Sequence, residues 1–257
     1  MQSWDDDAIV LNVRPHGDGG AVLTTLTPSH GKSAGFVYGL SKLKEKGGLE
    51  IGSIGHVYWQ ARLKEQMGTF RFEIEKNAAA PLLHDRARLA ALQSACSLCL
   101  ETLPERHASP ALFAGLIGLL EALPTDHWGV SYIAWEFALL REIGFALDLS
   151  KCAVTGSEDV IYVSPRTGRG VSAEGAGEFA DRLLPLPEFL KASPNMNMAG
   201  EEIDILTGLQ LTGHFLERWV FVHHHAGIPA ARLRLADLYA TKVHGQTDST
   251  ASAAGDP

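Results

Sequence analysis

The chain has 257 residues, of which 46% are hydrophobic and 20% charged, and a formal net charge of −8. These are the fractions of a globular protein, and at this length folding removes roughly 70% or more of the unfolded surface from water. They exclude a uniformly basic nucleic-acid coat. With no apolar run near the ~20 residues that a bilayer span requires, they also exclude a membrane helix.

The first ten residues, MQSWDDDAIV, lack a basic stretch followed by an apolar one, so no secretory signal is expected there. Asp5, Asp6 and Asp7 read as a solvated carboxylate run at a frayed terminus. Residues 6 to about 76 then read as β. Ile9–Val13, Ala21–Leu26, Gly35–Gly39, Ile54–Gln60 and Thr69–Ile74 are short runs rich in β-branched and aromatic residues. Between them lie Gly17-Asp18-Gly19-Gly20 and Pro28-Ser29-His30-Gly31, both turn-forming clusters. In the fifth run Phe70, Phe72 and Ile74 share one face, and Arg71, Glu73 and Glu75 the other. Five short strands in about 70 residues predict a small closed barrel of the OB type.

From Ala78 the period changes to that of helices. Leu82–Leu103, Pro110–Leu123 and Trp128–Ile143 carry apolar residues at helical spacing, with prolines near their ends. A β-type insert follows, DLSKCAVTGSEDVIYVSPRTGRGVS from Asp148 to Ser172, in which Val160 to Val163 sit between turn formers. Gly177–Leu190, Gly200–His224 and Pro229–Ala240 read as further helices, and Gly245–Pro257 as a disordered tail of small and polar residues. The fold class is therefore α+β: an OB-fold β-barrel at 1–77, then an α-helical domain at 78–244 with a β insert at 148–176, then a tail at 245–257.

Four constellations bear on chemistry. Between Arg14 and Arg71 there are eight basic residues against four acidic ones, so this segment is locally +4 in an acidic chain. Its centre is Ser41-Lys42-Leu43-Lys44-Glu45-Lys46-Gly47-Gly48, a cationic loop that can neutralise phosphates without reading sequence; a solvated surface loop is the competing reading. Phe36, Tyr38, Tyr58 and Trp59 offer stacking surfaces, but Tyr58 and Trp59 point oppositely, so at most half can serve. Cys96-Ser97-Leu98-Cys99 lies within a helix among leucines and reads as two buried thiols, not as a redox or zinc pair. Three adjacent histidines, His223 to His225, cannot share a helix face; with His214 they read as a helix end or an incidental metal site. No nucleophile elbow, phosphate-binding loop, zinc-protease motif or dinucleotide fingerprint is present. The low, odd count of three cysteines points to a reducing cytoplasmic compartment.

The stretches AIVLNVRPHGDGGAVLTTLTPSHGK, WEFALLREIGFALDL, CAVTGSEDVIYVSPRTGRGVS and DRLLPLPEFL together resemble the bacterial recombination mediators of the RecO family, in the form found in alphaproteobacteria. The resemblance spans nearly the whole chain. It implies a non-enzymatic DNA repair mediator of the RecF pathway, with no cofactor. Such a protein binds single- and double-stranded DNA, anneals complementary strands, contacts single-stranded DNA-binding protein, and with RecR helps load RecA in the cytoplasm at the nucleoid. The DNA contacts would come from Arg14, His16, Lys32, Lys42, Lys44 and Lys46, with Arg62, Lys64 and Arg71 as further candidates.

Two departures matter. Zinc-bearing members of the family carry two Cys-x-x-Cys pairs around the insert. Here Cys152 holds the first position, Thr155 the second, and the other pair falls near Ser172 and Gly175. One cysteine cannot close a four-ligand site, so no zinc is expected. The cationic loop carries lysines where relatives often have arginines, which gives point-charge attraction without bidentate forks. The acidic total and this all-lysine loop motivate a second reading, a protein-interaction module for RecR or single-stranded DNA-binding protein without strong DNA binding of its own.

Overall fold

A computed structural model describes residues 2–17, 19–39, 48–63, 66–191, 202–222 and 227–253, with 244–253 described by backbone alone. The chain forms two compact units, Met1–Pro124 and Thr125–Pro257.

The first unit is built on five strands: β1 (Gln2–His16), β2 (Gly20–Thr27), β3 (Gly31–Tyr38), β4 (Ser53–Ala61) and β5 (Thr69–Asn77). They close into a barrel in the order β1-β2-β3-β5-β4. β1 makes closure possible because it serves two neighbours: Gln2 to Ile9 pair with β4, and Ile9 to His16 with β2. A bulge between Val10 and Asn12 bends the strand where the partner changes. The barrel is completed by a parallel contact of β3 with β5 at Phe36 and Thr69. Inward-facing Val10, Leu23, Val37, Val57, Trp59, Phe70 and Phe72 fill the core. The alternation read in the fifth run is the one observed, Phe70 and Phe72 inside, Arg71 and Glu73 outside. This is the expected OB-like barrel.

The three aspartates correct the sequence reading. They do not fray: Asp5, Asp6 and Asp7 lie within β1, opposite Tyr58, Val57 and His56. The pairing partner lies some fifty residues away, so the local sequence could not reveal it. Asp6 accepts hydrogen bonds from the Ser29 backbone N–H at 2.9 Å and meets His30 Nδ1 at 3.2 Å, which pins the second turn to the first strand. That turn ends on Gly31 at φ +63°, where any β-carbon would run into the main chain of His107.

Helix α1 (Arg86–Thr102) packs on β1, and α2 (Pro110–Ala122) on β2. Asp85 caps α1 by accepting from the Ala87 and Arg88 N–H groups, each at 3.0 Å. Cys96 and Cys99 are buried free thiols on this helix, as expected. Burial pushes Cys96 up to about 12 and Cys99 well above the usual thiol range, so both stay protonated and unreactive.

The second unit holds α3 (Trp128–Glu142), the insert, α5 (Glu202–Phe215) and α6 (Ala230–Ala253). Glu136 of α3, wholly buried, meets Arg232 of α6 at 2.5 Å (Nε) and 3.0 Å (Nη2). Tyr132 donates to the same carboxylate at 2.7 Å, and Thr212 of α5 at 2.5 Å. One carboxylate therefore ties three helices together. The insert forms a three-stranded sheet of β6 (Tyr162–Val163), β7 (Gly170–Val171) and β8 (Leu184–Pro185), in the order β7-β6-β8, with the short α4 (Ala173–Ala176) between β7 and β8.

Two helical readings are corrected here. Gly177–Leu190 is not an α-helix but two 3₁₀ turns, Gly177–Arg182 and Glu188–Leu190, on either side of β8. Pro185 and Pro187 remove two helical N–H donors and push their predecessors toward extended backbone. The reading Gly200–His224 becomes α5 followed by a π-turn, Leu216–Val220. At the far end, α6 continues to Ala253 across part of the segment that composition assigns to a disordered tail. That part has no proline to stop the helix, although Gly245, Thr247, Asp248 and Thr250 are weak helix formers.

Candidate nucleic-acid interface

Because side chains alternate along the barrel strands, each inward core residue has outward neighbours, and these line up across the registers. On β4 and β5, Tyr58 stands opposite Arg71 and Gln60 opposite Thr69. On β3, Phe36 lies beside Thr69, and across β2 it is in line with Val22 and then Arg14. The outer face therefore presents one band of Arg14, His16, Phe36, Tyr38, Tyr58 and Arg71. Tyr38 is 73% exposed and Tyr58 37%. Phe36 packs edge-on against Tyr38, with centroids 4.5 Å apart, and against His16 at 5.7 Å. The Arg71 guanidinium sits over the Tyr58 ring at 4.6 Å and pairs with Glu73. Between Tyr38, Tyr58, Gln60, Thr69 and Arg71 an open groove of about 410 Å³ runs over the barrel wall. Trp59, by contrast, is core: its indole N–H donates to the Met67 carbonyl at 2.8 Å.

The sequence-derived basic residues divide. Arg14, His16, Arg62 and Arg71 are exposed, the first two and the last on this face and Arg62 just past the end of β4. Lys32 is turned elsewhere. Its ammonium donates to the Leu100 carbonyl at 2.6 Å, at the C-terminal turn of α1, where the helix dipole favours a cation. Burial lowers its pKa, with Glu105 and Glu101 opposing. Lys42, Lys44, Lys46 and Lys64 lie outside the described residues, as do His223 to His225. The lysine run follows Tyr38 by four residues in sequence.

One feature of this face escaped sequence reasoning. His56, on β4 beside Tyr58, engages Asp7 through Nδ1 at 3.1 Å and Asp5 through Nε2 at 3.0 Å. Hydrogen bonds to Asp7, then Asp5, raise its pKa above the usual imidazole value. An acidic rail that shares one imidazole thus borders the aromatic band. No sequence signal joins residues fifty apart on two strands.

In the second unit the four positions of the insert that a zinc knuckle would use do converge. The Cys152 sulfur accepts from the Val154 and Thr155 N–H groups, both at 3.4 Å. Thr155 Oγ1 and Ser172 Oγ share a hydrogen bond of 3.1 Å, and Ser172 also accepts from the Gly175 N–H at 3.1 Å. A β-carbon on Gly175 would lie 2.7 Å from the sulfur. One sulfur, two hydroxyls and a glycine do not fit a structural zinc ion, which takes four nitrogen or sulfur ligands. The cluster closes on its own hydrogen bonds instead. Burial pushes the Cys152 thiol up, but the bonds from Ser172 and Thr155 outweigh it and hold it at about 6.

Comparisons with known proteins agree with this architecture. A family model described as Recombination protein O N terminal matches residues 1–77, and one described as Recombination protein O C terminal matches residues 83–226. The chain is 48% identical over 244 residues to a DNA repair protein RecO of Rhodospirillum centenum, covering 94% of this chain and 96% of that protein. It is 43% identical over 242 residues to a protein of the same name from Jannaschia sp., covering 93% and 97%. With the Caulobacter vibrioides protein of that name it shares 41% over 239 residues, covering 92% and 97%. The two models together match residues 1–77 and 83–226, the relatives align over more than nine-tenths of the chain, and the chain belongs to the RecO family.

Proposed function

We propose that the chain acts in DNA repair as a non-enzymatic mediator. It binds single- and double-stranded DNA, anneals complementary strands, and with RecR and single-stranded DNA-binding protein helps to load RecA, in the cytoplasm at the nucleoid. Membership of a family whose members are named DNA repair proteins supports the repair role. The observation that carries the DNA contact is the aromatic and basic band on the barrel wall. Exposed Tyr38 and Tyr58 offer faces on which bases of any identity can stack, while Arg14, Arg71 and the lysines Lys42, Lys44 and Lys46 supply charge for the backbone. Sequence tolerance is what a mediator requires, since gaps occur anywhere.

A second reading, a protein-interaction module with little DNA affinity of its own, is favoured by two specific contacts. Lys32 is committed to Leu100, and Asp5, Asp7 and Glu73 border the band. Fluorescence polarisation with a labelled oligothymidylate separates the two readings. Stacking on an aromatic side chain contributes about 1–3 kcal/mol per base. Tyr38→Ala with Tyr58→Ala should therefore weaken binding by tenfold or more while leaving the melting temperature nearly unchanged. A wild-type protein that binds no oligothymidylate at low salt would establish the interaction module instead.

A further inference from the structure

Among the described residues of the second unit, a cavity of about 320 Å³ is lined by Pro165, Arg166, His214, Arg218 and Trp219. Its walls come from two places in the sequence. Arg166 sits in the tight turn Pro165–Thr167 between β6 and β7, closed by the Thr167 and Gly168 N–H groups donating to the Ser164 carbonyl at 3.3 and 2.9 Å. Arg218 and Trp219 sit on the π-turn Leu216–Val220 that ends α5. Wide π-turns of this kind are uncommon and concentrate at functional sites, because they re-aim side chains that a regular helix would point elsewhere.

The two walls are fastened together. Trp219 is braced from behind by Phe215 and Phe145, with centroids 4.4 and 6.1 Å away, and its ring edge reaches Gly168. A β-carbon on Gly168 would lie 2.5 Å from the indole, so only glycine admits this contact. His214 Nε2 meets the Pro165 carbonyl at 3.1 Å and holds the turn that carries Arg166. Both guanidiniums are exposed, and neither is paired with a carboxylate among the described residues.

We propose that Arg166, Arg218, Trp219 and His214 form a second strand-binding site, taking the phosphates of single-stranded nucleic acid, and that the rebuilt insert exists to present Arg166 to it. The assignment rests on the DNA-binding reading above and adds a site that does not belong to the barrel. Guanidiniums suit phosphate because their planar forks donate two bonds at once. The braced indole gives a flat wall for a sugar or base. An acidic peptide is the rival ligand, but this cavity has no aliphatic lining except Pro165. The apolar side chains Phe221, Val222, Ile228 and Leu233 line a separate groove beyond Arg218.

The test uses the full chain and a fluorescein-labelled oligothymidylate, with affinity followed against salt. Each phosphate contact on a single strand contributes about 0.7 to the logarithmic salt slope. Arg166→Glu with Arg218→Glu should make the slope shallower by about 1.4. Arg166→Lys with Arg218→Lys should keep most of the slope. Circular dichroism and the melting temperature report whether each variant folds, and Arg166→Gln with Arg218→Gln replaces a glutamate variant that does not. A folded variant with an unchanged slope overturns the proposal. So does an oligoglutamate peptide that binds the wild type and not the variant while the DNA slope stays the same. If Lys42, Lys44 and Lys46 changed to Glu flatten the slope and the arginine variants do not, only this site falls. If the wild type binds no DNA, both readings fall.

Discussion

At the scale of single residues, the protein shows how far a side chain's role depends on partners remote in sequence. Lys32 reads as a free cation beside a His-Gly turn, yet its head group ends on Leu100 of α1. His56 gives no sign in the sequence of the two carboxylates that share it. Cys152 is the case where sequence and structure meet. The loss of three thiolate positions is legible from the spacing; that the remaining atoms close into a hydrogen-bonded cluster is not. The cluster makes a prediction about ionisation. A thiol held at about 6 ionises below neutral pH, and only the thiolate attacks. Cys152, like Cys96 and Cys99, is buried, so alkylation does not report its ionisation in the folded protein. The ultraviolet absorbance of the thiolate does: in the native protein it should grow in through pH 6, well below the ordinary thiol midpoint of about 8.5. Cys96 and Cys99, with raised pKa values, should add nothing until the protein unfolds. Thr155→Val should move the midpoint upward, and Cys152→Ala should remove the signal. A native-state rise that begins only at the ordinary thiol midpoint would contradict it.

At the scale of elements, the barrel was the most legible part, because a half-buried strand writes its two faces into alternate residues. Phe70 to Glu73 declare their directions without any knowledge of the partner strand. Strand ends were less legible: β1 begins at Gln2, seven residues before its apolar run, since β4 supplies the ladder for a polar segment. At Gly177–Leu190 the apolar spacing suggests a helix, but Pro185 and Pro187 override it and the segment folds as two 3₁₀ turns around β8. The contact between α3, α5 and α6 could not be read at all. Glu136 and Arg232 are 96 positions apart, each inside an amphipathic pattern that marks both as surface residues. Their burial, 0% and 2% exposed, makes the pair a sensitive point. Removing one partner strands a buried charge, at a cost of roughly 3–5 kcal/mol. Glu136→Gln should lower the stability of the helical unit by that order in urea denaturation. Glu136→Leu combined with Arg232→Met should recover most of the loss, since a well-packed apolar pair avoids desolvating two charges. A double variant as unstable as the single one would show that Thr212 and Tyr132, left without their acceptor, dominate the energetics.

At the scale of the whole molecule, the charge balance sets how DNA affinity responds to salt. The chain carries −8 overall, but the segment from Arg14 to Arg71 is locally +4. A uniformly cationic protein would draw in DNA over its entire surface; here attraction must be local, from lysines within a Debye length of the strand, about 10 Å at 0.1 M salt. Beyond that distance the acidic remainder is screened and neither helps nor opposes. The lysine run is thus expected to govern the salt dependence far more than its share of the charge suggests. If Lys42, Lys44 and Lys46 each neutralise one phosphate of a single strand, together they contribute about 2 to the logarithmic slope. Between 50 and 200 mM salt, that portion alone should cost about 20-fold in affinity. Lys42→Glu, Lys44→Glu and Lys46→Glu combined should abolish this portion, weakening binding most at low salt and least at high salt, so that the wild-type and variant curves converge as salt rises. Parallel curves, displaced by a constant factor across the titration, would mean that the lysines act through the fold of the barrel and not through phosphate contact.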